Sequence, residues 1–157
     1  MKREYPDRPI VGVGAVIVEK REGMACVVLV KRGAPPLLGE WSLPGGVVEL
    51  GETLRAAAER EAEEETGLMV EAGEVLEVLD RVIPGEAGRP KYHYVLVDFL
   101  CSVRGGELRA GGDAAEVAWA SESELASYKL EKPALGVIEK AFSETHHGDT
   151  ETRRGYF

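Results

Sequence analysis

At 157 residues and a net charge of −9, with 44% hydrophobic and 30% charged residues, the chain is long enough to bury the core of one domain and too acidic for a general nucleic-acid binder. No apolar run approaches the length that spans a bilayer, and the opening stretch MKREYPDRPI has no signal-peptide core. Neither a membrane partner nor export is expected, which leaves the cytoplasm as the expected location. Cys26 and Cys101 each sit in an apolar run, at a spacing that suits neither zinc nor a redox pair, so both read as reduced core residues.

In chain order, the Val-rich runs IVGVGAVIVEK and ACVVLVKRG predict two strands joined by a short turn at REGM. The Gly- and Pro-rich loop GAPPLLGEWSLPGG leads into a helix over about residues 53–66. Gly67 and Leu68 carry a helix-end signature, glycine being free to adopt positive φ and leucine closing back on the last turn. Strands are predicted at EVLEVLDRVI, YHYVLVDFLCSV and EVAWAS, and a short capped helix at SESELASY. A C-terminal helix is predicted at KPALGVIEKAFSE, with Leu135, Ile138 and Phe142 at helical spacing. The domain spans residues 8–145, and residues 146–157 read as a polar tail.

The central helix contains a conflict. Projected at about 100° per residue from Leu54, the residues Ala57, Ala58 and Leu68 share one apolar side, and Glu61 (about −20°) and Glu65 (about +20°) fall in its middle. Glu52, Glu59 and Glu63 project to the opposite, solvated side, and Glu64 borders the stripe. Two like charges one turn apart on a buried surface are disfavoured by desolvation and by mutual repulsion. Ion pairing on a solvated face is the ordinary explanation for a Glu-rich helix, but Arg55 and Arg60 project away from the stripe at about 100° and −120°. A divalent cation resolves the conflict, because carboxylate oxygens are hard ligands and Mg²⁺ commonly takes one or two of them plus substrate phosphates.

Gly46, Glu52, Arg60, Glu61, Glu64, Glu65, Gly67 and Leu68 stand at the spacing of the box by which Nudix hydrolases are recognised, with Ala62 small where a larger aliphatic is usual. Over about residues 8–142 the chain resembles that family. The resemblance implies an α/β Nudix fold, a mixed β-sheet sandwiched between α-helices. It also implies metal-dependent hydrolysis of the pyrophosphate bond of a nucleoside diphosphate derivative. Glu61 and Glu65 are then the principal metal ligands, joined by Glu64 from the edge and by the carbonyl of Gly46, with Mg²⁺ as cofactor and Mn²⁺ as its alternative. The Gly45–Gly46 pair serves either a close approach of backbone to ligand or a simple turn.

The implied catalytic group is Glu64, Glu116, Arg60 and Glu52. In it Glu52 and Arg60 form an ion pair that shapes the loop and helix, and the base comes either from the box or from the loop GGDAAEVAW, where Glu116 is preferred to Asp113. His93 reads as a sheet residue, and Lys31, Arg32 and Arg89 read as ordinary strand-end or loop charges. Pro84, sixteen residues after Leu68, and the run KYHYVLVDFLCSV resemble the ADP-ribose pyrophosphatase branch. ADP-ribose, cleaved to AMP and ribose 5-phosphate, is therefore the expected substrate. The alternatives are an oxidised nucleoside triphosphate and a catalytically silent nucleotide-binding module. A homodimer is left open.

Overall fold

A computed structural model describes residues 2–35 and 37–148. Strand β1 (Ile10–Arg21) turns through Glu22 and Gly23, both at positive φ, into β2 (Met24–Arg32). The following loop contains two short strands, β3 (Trp41–Ser42) and β4 (Gly45–Val47), and delivers the chain to helix α1 (Leu54–Thr66). Strands β5 (Leu68–Pro84), β6 (Pro90–Gly106) and β7 (Ala114–Ser121) follow, then a 3₁₀ segment, Glu122–Tyr128, and helix α2 (Lys132–Gly148). The sheet order is β3-β2-β1-β6-β5, with β4 on β1 and β7 on β2. β1 runs parallel to β6 and antiparallel to β2 and β4, so the sheet is mixed, as expected.

Strand alternation sorts the apolar residues onto two faces. On one, Val13, Ala15 and Ile17 join Val97, Phe99 and Cys101 beneath α1, whose contact residues Ala57, Ala58 and Ala62 are small enough to let the helix approach the sheet closely. On the other, Val16, Val27, Leu29 and Leu76 pack against Ile138 and Phe142 of α2 and Leu125 of the 3₁₀ segment. Ile138 and Phe142 are almost completely buried, and each contributes about 2–3 kcal/mol of transfer free energy. The result is the predicted sandwich of a mixed sheet between helices.

α1 is bounded as its sequence specifies. The Thr53 hydroxyl accepts the Ala56 N–H at 3.1 Å, and Gly67 ends the helix in the left-handed region at φ 75°. Leu68, placed with the helix face by its angular phase, is instead the first residue of β5, and Leu54 is 38% exposed. β5 also starts earlier than the predicted 74, because Leu68, Val70 and Ala72 are buried in alternation with exposed Met69 and Glu71, a period of two. α2 continues through 146–148, positions read from the sequence as tail. The rest of that tail, 149–157, lies outside the described residues. Cys26 and Cys101 are buried free thiols, and His93 is a strand residue opposite Val82. No helix among the described residues is long and apolar enough to cross a membrane.

Candidate active site

The loop from β4 to α1 is tied to the helix by Arg60. Its Nε donates to Glu52 Oε2 at 2.7 Å and its Nη2 to Glu52 Oε1 at 2.9 Å, a two-pronged pair of the kind a guanidinium makes best. The same side chain donates to the Val47 carbonyl at 3.2 Å, to Glu61 Oε1 at 2.8 Å and to Glu64 Oε2 at 3.3 Å. The predicted Glu52–Arg60 pair is therefore present, and three sequence expectations need correction. Glu52 is not on a solvated side, since its side chain keeps only 15% exposure. Arg60 is not turned away from the stripe either: a radial projection places the Cα, whereas a long guanidinium side chain bends along the helix surface to reach Glu61. Glu59 also leaves the solvated side, accepting the Ala72 N–H of β5 at 2.9 Å. The hydrogen bonds from Arg60 hold the Glu52 carboxyl down at about 2.

Glu65 is 7% exposed and lies against β4, where its Oε1 accepts the Gly45 N–H at 2.8 Å. Burial pushes its carboxyl up to about 7; the Gly45 hydrogen bond opposes that, and the negative field of Glu61 reinforces it. Glu61 is also pushed up by burial, with Arg60 pulling the other way. Its carboxylate occupies the space beside Gly46 so closely that a methyl group there would overlap it. The Gly45–Gly46 pair thus serves close approach, of backbone to carboxylate.

Among the described residues no three His, Cys, Asp or Glu side chains converge as a ready-made metal cage. The residues nevertheless fit Mg²⁺. Two adjacent carboxylates are held above their ordinary range by burial, they flank the backbone at Gly45 and Gly46, and Mg²⁺ completes its shell with water and phosphate rather than with an all-protein cage. Glu64 is the outlying member, its side chain 54% exposed and turned to Arg60.

The other expected residues are more dispersed. Glu116 stands in β7 with its side chain 59% exposed, directly across the sheet from Lys31, whose Nζ donates to its Oε2 at 3.1 Å. Asp113 and Arg32, by contrast, both act electrostatically on Glu65, and the loop before β7 reaches the helix end through the Arg109 and Gly111 N–H groups, which donate to the Thr66 and Glu65 carbonyls at 2.8 and 3.2 Å. Arg32 donates to the carbonyls of Ala34 and Pro35, and Arg89 lies over the Tyr5 ring. The sequence reading missed Asp98, a buried carboxylate inside the apolar run of β6; the one available signal was a charged residue in the run VLVDFLC.

The NUDIX domain family profile matches residues 8–141. The chain belongs to the Nudix family. An ADP-ribose pyrophosphatase of Methanocaldococcus jannaschii is 38% identical over 108 residues, 69% of this chain and 59% of that protein, so this Nudix chain spans less than two thirds of that relative. A Mycobacterium tuberculosis protein provisionally named 8-oxo-dGTP diphosphatase 2 is 41% identical over 118 residues, 74% of this chain and 75% of that one. Among solved structures, a MutT NUDIX hydrolase from Burkholderia pseudomallei superposes with a TM-score of 0.71 at 30% identity, over 85% of this chain and 98% of that chain. The NUDIX domain of Shewanella oneidensis NrtR, complexed with ADP ribose, superposes with a TM-score of 0.72 at 22% identity, over 88% and 90% of the two chains, a likeness of Nudix fold alone.

Proposed function

We propose that this Nudix protein is a Mg²⁺-dependent hydrolase of the pyrophosphate bond in nucleoside diphosphate derivatives, with ADP-ribose, cleaved to AMP and ribose 5-phosphate, as its substrate. The observation that carries the reading is the pair of carboxylates, Glu61 and Glu65, set against Gly45 and Gly46 and both raised by burial, Glu61 in spite of its ion pair with Arg60. Glu61, Glu65 and the Gly46 carbonyl would hold the metal, or Mn²⁺ in its place, with Glu64 turning in from Arg60. Bound there, Mg²⁺ would neutralise the pyrophosphate and lower the pKa of an attacking water. Arg60 orients Glu61 and anchors the loop through Glu52. The M. jannaschii relative supports the choice of substrate. The M. tuberculosis relative favours a second reading, hydrolysis of an oxidised nucleoside triphosphate. Because the chain is itself acidic, the bound metal would have to offset the charge of the anionic substrate.

A side-by-side assay at equal concentration with Mg²⁺ separates these readings. ADP-ribose is expected to give the highest kcat/KM and to release AMP, whereas a preference for 8-oxo-dGTP with pyrophosphate as product would establish the second reading. No cleavage of either compound would leave a binding module.

Glu116 is our choice of base, held by Lys31 until a substrate phosphate competes for that ammonium. Glu116→Gln is expected to lower kcat by about 100-fold or more with little change in KM, since proton transfer belongs to the transition state. Near-normal turnover in both Glu116→Gln and Asp113→Asn would return the base to the helix.

A further inference from the structure

Two carboxylates among the described residues are more than nine-tenths buried, Glu65 and Asp98. Glu65 has the Gly45 N–H and the candidate metal; Asp98, 7% exposed, has no hydrogen-bond partner among the described residues. Burial pushes its carboxyl up to about 6, and Glu77, its cross-strand neighbour on β5, adds to the effect. Glu77 is itself paired with Lys140 of α2, which also donates to the Leu76 carbonyl. The Asp98 oxygens are not among the fully occluded unpartnered atoms of the described residues, so they keep a solvent-facing edge, and a molecule that covers that edge must supply a hydrogen bond.

The surroundings of Asp98 indicate what that is. It faces Gly14 in the parallel β1–β6 register, and a methyl group on Gly14 would collide with Asp98 Oδ1, so the carboxylate lies over bare β1 backbone with the Pro44 carbonyl on the same side. Two residues earlier on the same strand face, Leu96 lies over Gly12. A methyl placed on Gly12 would meet Leu96 Cδ2 at 2.9 Å and the Gly46 carbonyl oxygen at 3.3 Å. Leu96 in turn lines a cavity of about 320 Å³ with Leu79, Asp80, Arg81, Glu131 and Pro133. One strand face therefore carries, in order, a leucine that forms one wall of this cavity and lies near the carbonyl assigned to the metal, and a buried carboxylate two residues on. Glycine inside a strand marks a close approach, and here Gly14 and Gly12 make room for the Asp98 and Leu96 side chains. Along this face the polar atoms, Asp98 Oδ1 and the Pro44 and Gly46 oxygens, are all acceptors, so the complementary group is a hydrogen-bond donor.

We propose that Asp98 is a specificity-determining binding residue that accepts a hydrogen bond from the nucleoside half of the substrate, while Leu96 and Leu79 pack against its base. The proposal rests on the nucleoside diphosphate reading above. The donor is either an exocyclic amino group of the base or the ribose diol.

The test compares the wild-type protein with Asp98→Val, which removes the acceptor, and Asp98→Asn, which keeps one. KM for ADP-ribose is expected to rise about 10-fold or more in Asp98→Val, with kcat nearly unchanged and Asp98→Asn in between. The melting temperature should stay level or rise in Asp98→Val, because an unpartnered buried carboxyl is removed; a structural aspartate would give the reverse. Loss of discrimination against the hypoxanthine counterpart of ADP-ribose assigns the donor to the base amino group. Loss of discrimination against a deoxyribose counterpart assigns it to the diol. Unchanged KM on all three substrates in Asp98→Val, or a fall in melting temperature with a matching loss of kcat, overturns the proposal. If the wild type cleaves no nucleoside diphosphate compound, calorimetric binding of AMP decides independently of turnover: weaker binding to Asp98→Val supports the proposal, and equal binding overturns it.

Discussion

Glu65→Gln is expected to reduce turnover roughly a thousandfold while making the metal-free protein more stable above pH 7. Glutamine keeps an oxygen to accept the Gly45 N–H, so the contact with β4 survives and the charge alone is lost. The stability change follows from the folded carboxyl titrating at about 7 against 4.5 when exposed. The folded state holds a proton that the unfolded state releases, so the stabilisation is complete below pH 4.5 and lost as pH rises through 7. The difference corresponds to about 3 kcal/mol, or a melting temperature lower by on the order of 5–10 °C at pH 8 than at pH 5 in metal-free wild type. In Glu65→Gln most of that slope should vanish, with Asp98 and Glu61 leaving a remainder. Thermal scans across pH in chelator read the slope directly. Addition of Mg²⁺ and a substrate analogue should raise the melting temperature of the wild type and not that of the variant. Normal turnover in the variant would remove Glu65 from the metal site.

The second large effect is expected at Arg60. Arg60→Met preserves length and packing but leaves Glu52 and Glu61, each with a side chain 15% exposed, without their guanidinium. After allowance for solvent access, the loss should be about 2 kcal/mol, near 5 °C in melting temperature at pH 7. Arg60→Lys should recover little of it, because one ammonium cannot serve Glu52 in two places together with Val47, Glu61 and Glu64. The acid limb gives an internal check. Glu52 titrates at about 2 in the fold against 4.5 when exposed, so the advantage of the wild type over Arg60→Met should be complete above pH 4.5 and fade as pH falls toward 2. An advantage that persists unchanged at low pH would mean that Arg60 acts through packing and not through Glu52.

The architecture was readable because its main elements have clear periods and stops. Val-rich runs marked β1 and β2, Thr53 and Gly67 bracketed α1, and Ile138 and Phe142 marked the buried side of α2. The carboxylates of α1 were readable for a different reason: their phase put charge where burial was demanded, and burial of Glu65 bears that out. What stayed hidden depended on side-chain reach and on tertiary placement. An angular projection has no term for the length of Arg60, nor for a strand such as β5 that begins at the residue after the helix stops. Asp98 was hidden by its own neighbours. In an alternating strand an acid in an apolar run reads as a solvent-facing position, and only its packing over Gly14 of β1, beside Pro44, turns it inward.

The sheet topology also bears on how the chain reaches its fold. β1 lies between β2, its immediate successor, and β6, with which it pairs from Ile10–Tyr94 to Ile17–Cys101, contacts separated by roughly eighty residues of chain. The centre of the sheet thus closes only after β6 emerges, and until then the first hairpin presents β1 as an open edge of valines and isoleucine, while β2 waits longer still for β7. Folding limited by distant strand pairings is slow, and its waiting species invites association with other chains. For this protein the vulnerable interval during synthesis lies between completion of the β1–β2 hairpin and emergence of β6. Substitutions that weaken β6 should therefore reduce the soluble yield more than their effect on equilibrium stability would suggest.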